Sequence, residues 1–240
     1  MHLHADDLCL TDQTNSTISS LLGRGKLDSV SIIVTTKSFN TYSKSLAGIK
    51  VPVFLHFSLT EGTPLSDINV ISSIVNEQGK FFSQPKLILK CIIRTINKSE
   101  IRHELVAQMS ALRSKGVDIV GIDTHQHIHA FNPVSSVVHE YAKKQNIKFV
   151  RSYSEVKTIH ASTWAVRGAY MLLARCTSFK SLPVSWREKR WRPFVMSTWE
   201  KVESAPNNVI VVVHPGTDFD CQQSLPRQLL SHIINTQKNR

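Results

Sequence analysis

The sequence predicts an α/β fold, a mainly parallel sheet or barrel in a single domain, and three observations carry that prediction. Short, strongly apolar runs alternate with segments of helical periodicity. The last run, Val209 to Val213, is continuously apolar, as a strand covered on both faces should be. A chain of 240 residues with 41% hydrophobic content can bury one sizeable core without dividing into two.

A first strand is expected to end at Ala5, and a helix to span Asn15 to Leu22. Ser29 to Thr35 and Val51 to Leu59 read as strands. In the second, alternation puts Val51, Val53, Leu55, Phe57 and Leu59 toward one layer and Phe54, His56 and Ser58 toward the other. Gly62 to Asn97 shows no clear βα unit. A connection that long is expected to be a lid, an excursion or an oligomer contact with short helical pieces. Ser99 to Lys115 carries Ile101, Leu105, Met109 and Leu112 on one stripe and stops at Gly116, so it reads as an amphipathic helix. Strand Val117 to Ile122, helix Pro133 to Lys144, strand Ile147 to Val150, helix Trp164 to Cys176 and strand Asn208 to Val213 follow.

A formal charge of +11 favours anionic partners or substrates but does not define a fold. No stretch of about 18 apolar residues is present, and the N-terminus lacks a signal-peptide core; a soluble, cytoplasmic protein is expected. Cys9, Cys91, Cys176 and Cys221 form no Cys-x-x-Cys pair, which argues for reduced thiols rather than a disulfide framework or zinc knuckle. Trp186 to Arg192 interleaves aromatic and basic residues. That pattern suits a solvated basic segment with packing tryptophans, a single-stranded nucleic acid, or stacking on sugar rings.

The run Asp123-Thr-His125-Gln-His127-Ile-His129 reads as a metal site placed just after a buried strand, where α/β proteins put their chemistry. In an extended chain Asp123, His125, His127 and His129 share one face. Residues two apart stand about 7 Å apart, so neighbouring imidazoles can converge on one ion while a third cannot unless the chain bends. One or two ligands are expected from the run, with the others touching ligand side chains or substrate. A solvated, adventitiously metal-binding loop is the competing reading.

Three other strand ends carry suitable groups. Asp6-Asp7 can divide labour, one carboxylate beside a cation and one accepting a proton. His56 is either a ligand or a core histidine held by a neighbouring acceptor. His214 precedes the turn Pro215-Gly216. Acids and imidazoles converging from separate strands are what a barrel active site is built from.

Four ordered motifs, His4-Ala-Asp-Asp-Leu8, Leu55-His-Phe-Ser-Leu-Thr-Glu-Gly-Thr-Pro-Leu65, Asp123 to His129 and Val213-His-Pro-Gly216, resemble the YdjC-like (ChbG-like) carbohydrate deacetylases over nearly the whole chain, as does Asn15 to Val34. The resemblance implies a deformed (β/α) barrel of the glycoside hydrolase/deacetylase type, one domain over 1–240 with an excursion or lid at about 62–97. It implies a metal-dependent hydrolase of the N-acetyl groups of amino sugars or chitooligosaccharide-like chains, with one divalent ion, Mg2+ or Zn2+. Asp7, His56 and His125 would be the ligands, Asp6 the general base and His214 the general acid. Arg151 would brace the catalytic aspartate; Asp123, His127, His129, Thr60 and Glu61 would support the ligands or touch the sugar. The expected partner is a small carbohydrate, with neither nucleic acid nor membrane; a homo-oligomer such as a dimer is left open.

The chain departs from the family pattern at Leu8-Cys9, where an aromatic residue and glycine are usual, so Cys9 must adopt backbone angles that glycine normally provides. The first strand is also short, because Met1 falls inside the segment where relatives have further apolar residues. Two other functions compete: a metal-dependent hydrolase of another amide or a phosphate ester, suggested by the histidines and charge, and a degenerate barrel that binds sugar or nucleic acid.

Overall fold

The computed structural model describes residues 2–151, 157–158, 194–196 and 210–216. Eight strands, β1 (His2–Leu8), β2 (Ser29–Ile32), β3 (Val53–Phe57), β4 (Ile119–Thr124), β5 (Phe149–Val150), β6 (Lys157–Thr158), β7 (Phe194–Met196) and β8 (Ile210–Val213), form one sheet in the order β5-β4-β3-β2-β1-β8-β7-β6. Every pairing is parallel, and the sheet is the deformed (β/α) barrel expected from the sequence. Among the described residues β5 and β6 are its two ends. All strands point the same way, so residues at their C-terminal ends gather at one end of the barrel.

Five helices are described: α1 (Asp12–Gly23), α2 (Lys37–Tyr42), α3 (Gln84–Ile92), α4 (Lys98–Arg113) and α5 (Val134–Lys144). α1 begins where Thr11 caps it, its side chain accepting from Thr14 N while Thr14 Oγ1 accepts from Thr11 N. The stripe Ile101, Leu105, Met109 and Leu112 on α4 is fully buried, as the periodicity predicted. β2 and β3 are buried along their whole length, including the polar Ser29, Ser31 and His56 that interrupt their apolar residues.

Some boundaries differ from expectation. β1 continues to Leu8 rather than ending at Ala5, because Asp6 and Asp7 are buried strand residues rather than a turn. α2 and the 3-10 turn Ser43–Gly48 were not anticipated, as too few residues are involved to show a period. The 62–97 segment holds the 3-10 turn Ile68–Val70, a bridge between Val75 and Phe81, and α3. It packs inward through the fully buried Ile71 and Ile74. The Glu104 carboxylate on α4 accepts from Leu65 N and Ser66 N at 3.1 and 2.9 Å. The expected helix Trp164 to Cys176, the Trp186 to Arg192 cluster, Cys176 and Cys221 lie outside the described residues.

Candidate active site

Adjacent residues of a regular strand point to opposite faces, yet Asp6 and Asp7 both reach the same end of the barrel. The cause is an extra residue in β1: Ala5 pairs with Val30 and Leu8 with Ile32, so three steps oppose two. Asp7 absorbs the irregularity at φ 67. Cys9 follows at φ 73, the left-handed conformation that its place in the sequence demanded, with its N–H donating to Asn15 Oδ1 at 2.7 Å.

The two aspartates then serve different neighbours. Asp7 Oδ1 lies 3.0 Å from His125 Nδ1 and 3.3 Å from His56 Nε2. These three residues offer ligand atoms within 4.8 Å of one another. His56 Nδ1 donates to Asp123 Oδ1 at 2.8 Å, which leaves Nε2 as the nitrogen toward Asp7. Burial opposes ionisation of Asp7, but hydrogen bonds from His125 and His56 outweigh it and hold the carboxyl far below its usual range. Burial also disfavours the His56 imidazolium, and the Asp123 and Asp6 charges override that, raising it to about 10.

Asp6 faces a different set. Arg151 grips it in a fork, Nη1 to Oδ2 at 2.7 Å and Nη2 to Oδ1 at 2.6 Å, and Nη2 also lies 2.5 Å from Asp123 Oδ2. Despite its burial, Asp6 is kept well below the ordinary carboxylate range by that guanidinium, and Asp123 likewise. His4, Asp6 and Asp123 also have the spacing of a metal group. There the Arg151 guanidinium already supplies the cation, which leaves Asp7, His56 and His125 as the group suited to an ion. His214, at the end of β8, places Nε2 3.5 Å from Asp6 Oδ2.

The charge balance tests the fit of a divalent ion. Asp6, Asp7, Asp123 and Arg151 are all buried, at 1, 4, 0 and 1% exposure. Three carboxylates against one guanidinium leave two negative charges in a place that does not tolerate unpaired charge. Protonated imidazoles can offset them, and so can one dication at the Asp7–His56–His125 group. The mixed oxygen and nitrogen donors suit magnesium less well than zinc or another transition ion.

The histidine run differs from its extended reading. β4 ends at Thr124, and His125–Ala130 turns tightly with Gln126 and His127 at φ 53 and 56. Only His125 joins Asp7 and His56; the bend carries the other two imidazoles elsewhere. His129 is buried, its Nδ1 2.5 Å from Thr124 Oγ1, and burial holds its pKa well below the usual value. The His127 ring lies 6.4 Å from that of His129, and burial pushes its pKa down to about 3, so both are neutral.

Thr60 N and Glu61 N both donate to the buried Ser58 Oγ, at 3.4 and 3.0 Å, and Glu61 is exposed. Gln108 holds the same loop, accepting from Ser58 N at 3.1 Å and donating to Ser58 O at 2.7 Å. Sequence reasoning missed Gln108, Glu104, His4 and Ser31. Ser31 Oγ donates to Asp123 Oδ2 at 2.5 Å, and His4 lies against Ser29, Ser31 and Asp6. Their signal was present: His4 and Asp6 stand two apart on one strand, as do Ser29 and Ser31 on the next.

A model of the YdjC-like protein family matches residues 1–238. A carbohydrate deacetylase of Oceanobacillus iheyensis is 25% identical over 243 residues, covering 93% of this chain and 89% of that protein. Another, of Xenopus laevis, is 28% identical over 137 residues, covering 56% of this chain; the alignment spans only 44% of the frog protein's length. A crystal structure from Enterococcus faecalis V583, provisionally described as a cellobiose-phosphate cleavage protein, superposes with a TM-score of 0.63 at 19% identity, over 97% of this chain and 89% of that one. At that identity the superposition speaks to fold alone.

Proposed function

Since the chain belongs to the YdjC-like protein family, we propose that it is a metal-dependent hydrolase that removes N-acetyl groups from amino sugars or their oligosaccharides. The observation that carries this reading is the buried excess of carboxylate around Asp7, His56 and His125, whose donor atoms lie within 4.8 Å of one another. The relatives named carbohydrate deacetylase supply the substrate class.

A divalent ion at that group would lower the pKa of water toward neutrality and polarise the acetyl carbonyl. Asp123 fixes the tautomer and orientation of His56 through the 2.8 Å bond to Nδ1. Asp6, kept ionised by Arg151, accepts a proton from the attacking water. Arg151 also makes Asp6 a weak base, which favours handing the proton on, and His214 Nε2 lies 3.5 Å away to take it. His214 then donates to the departing amine, which leaves poorly without a proton. Atoms balance: one water and one amide give acetate and a free amine. The loop carrying Thr60 and Glu61 and the excursion at 62–97 would wall the sugar. Gln84 Nε2 of α3 donates to Gln126 O in the histidine turn at 3.0 Å, which links that excursion to the site.

Acetate release from N-acetylglucosamine oligomers, by protein stripped of metal and then refilled with zinc or magnesium, tests the proposal. Release restored by metal and lost in His125→Ala is expected. No release from any oligomer by protein that holds its ion would overturn the substrate class.

A further inference from the structure

Three buried polar side chains, His4, Ser29 and Ser31, sit beside Asp6 and Asp123. Burying so much polarity costs stability unless each group finds a partner, and a fully partnered network holds its members in one arrangement. The register of β1 and β2 creates this one. His4 pairs with Ser29, and side chains two apart share a face, so His4 and Asp6 line up against Ser29 and Ser31.

The hydrogen bonds run in a defined direction. Ser31 Oγ donates its proton to Asp123 Oδ2 at 2.5 Å, so toward His4 Nε2, 2.8 Å away, it accepts. Nε2 therefore carries a proton, and the same N–H lies 3.1 Å from Asp6 Oδ1 and 3.3 Å from Asp123 Oδ2. The other ring nitrogen, Nδ1, meets Ser29 Oγ at 2.6 Å, and Ser29 is met in turn by His2 Nε2 at 2.7 Å. Packing fixes the ring plane as well: the Phe54 ring stands across it, centroids 5.0 Å apart at 78°. Gly121 leaves room for Phe54, since a Cβ there would lie 2.3 Å from that ring.

The consequence falls on Asp6. Its Oδ1 receives Arg151 Nη2 at 2.6 Å and the His4 N–H at 3.1 Å, whereas Oδ2 receives Arg151 Nη1 at 2.7 Å and looks toward His214 Nε2 at 3.5 Å. We infer that His4 is a positioning residue for the hydrolysis: it occupies Asp6 Oδ1, reserves Oδ2 to take the proton, and through Ser31 ties Asp6 to the carboxylate that orients His56. The inference rests on the proposed deacetylase reading and deepens it. In the step concerned the O–H bond of the attacking water breaks, Oδ2–H forms, and the proton passes to His214 Nε2. His4 keeps its own proton throughout. Arg151 holds both oxygens of Asp6 and lets the carboxyl swing with the guanidinium, whereas His4 and Ser31 anchor it to two strands.

The test separates kcat from KM for acetate release from N-acetylglucosamine oligomers by zinc-loaded protein, and adds NMR of metal-free protein. His4→Leu, which removes both ring nitrogens, should lower kcat about tenfold to a hundredfold while KM moves less than about threefold, because His4 touches the base rather than the sugar. His4→Gln, whose amide nitrogen can stand where Nε2 does, should recover most of that loss. Ser29→Ala, one bond further from Asp6, should lower kcat several-fold, so the inference does not depend on one variant folding. In long-range proton–nitrogen spectra the wild type should show a slowly exchanging Nε2–H that vanishes in His4→Leu and moves in Ser31→Ala. Equal losses of kcat in the leucine and glutamine variants would overturn the inference. So would an unchanged kcat in folded His4→Leu with a lowered melting temperature, which is the mark of a structural role. If the wild type releases no acetate from any oligomer, the deacetylase reading fails and the spectra decide the placement of His4. An Nε2–H that moves in both Ser31→Ala and Asp6→Asn would uphold that placement; one that is absent or indifferent to them would overturn it.

Discussion

Replacing Arg151 with methionine isolates the electrostatics on which the site depends. The guanidinium makes contacts of 2.6 and 2.7 Å to Asp6 and 2.5 Å to Asp123, and all three side chains are at most 1% exposed. Methionine retains most of the apolar stem, so the main loss is charge. Removing one partner from a buried ion network costs about 3–5 kcal/mol, because the remaining charges stay buried and unpaired. In a domain of this size each kcal/mol moves the melting temperature by about 2–4 °C, so a fall of about 6–20 °C is expected. The decisive comparison is a second change, Asp6→Asn, in the Arg151→Met background. It removes one of the two buried carboxylates left without their counter-charge and should recover more than about 1 kcal/mol, although in the wild type the same substitution discards the carboxylate charge and one of the two bonds accepted from Arg151 and should destabilise. Urea unfolding of the four metal-free proteins at one pH completes the cycle. A loss below about 1 kcal/mol for Arg151→Met, or simple additivity of the two changes, would refute the reasoning.

Three further predictions concern neighbouring features. His56 is raised to about 10 from an ordinary value near 6.5, so metal-free native protein holds a proton there that the unfolded chain lacks between those values. That stabilisation is complete below about pH 6.5 and is lost as pH rises through about 10, by up to about 1.4 kcal/mol per pH unit; urea midpoints of chelator-treated protein should fall across this range, and a flat profile would contradict the assignment. At Gly62, φ is +79 and a Cβ would lie 2.2 Å from the Thr35 carbonyl oxygen, so Gly62→Ala should cost about 2–5 kcal/mol by crowding and left-handed strain, read by the same unfolding assay. Burial raises the Cys9 and Cys91 thiols to about 12, so peptide mapping after brief alkylation at pH 8 should find both unmodified in native protein and modified in urea.

What the sequence made legible was periodicity and strand ends. The α4 stripe and the Val209 to Val213 run announced themselves because packing on one or both faces imposes a pattern. Asp6, Asp7, His56, Asp123, His125 and His214 stand out in the sequence because polar residues at the ends of apolar strands are conspicuous, and the structure brings these six side chains close to one another. The substitution of Cys9 for glycine foretold a positive φ, since that conformation belongs to the backbone of the turn. Less was visible where geometry depends on partners remote in sequence. The bulge that turns Asp6 and Asp7 toward different neighbours follows from pairing with β2. The bend after Thr124 cannot be read from an alternating histidine pattern, which invites an extended chain. Glu104 and Gln108 lie off the apolar stripe of α4, so periodicity does not mark them, yet they are fully buried because the loop after β3 needs acceptors and donors for its backbone.

The most direct test of the central claim is a count of divalent ions bound per chain, by calorimetric titration of metal-stripped protein with zinc, in the wild type, Asp7→Asn, His56→Ala and His125→Ala. One ion per wild-type chain, bound more weakly by at least about tenfold in each variant and released as pH falls, is what a site of two imidazoles and a carboxylate predicts. No ion in the wild type, or one whose affinity is indifferent to all three substitutions, would mean that protonated imidazoles alone balance the buried carboxylates and that this barrel does not work through a metal.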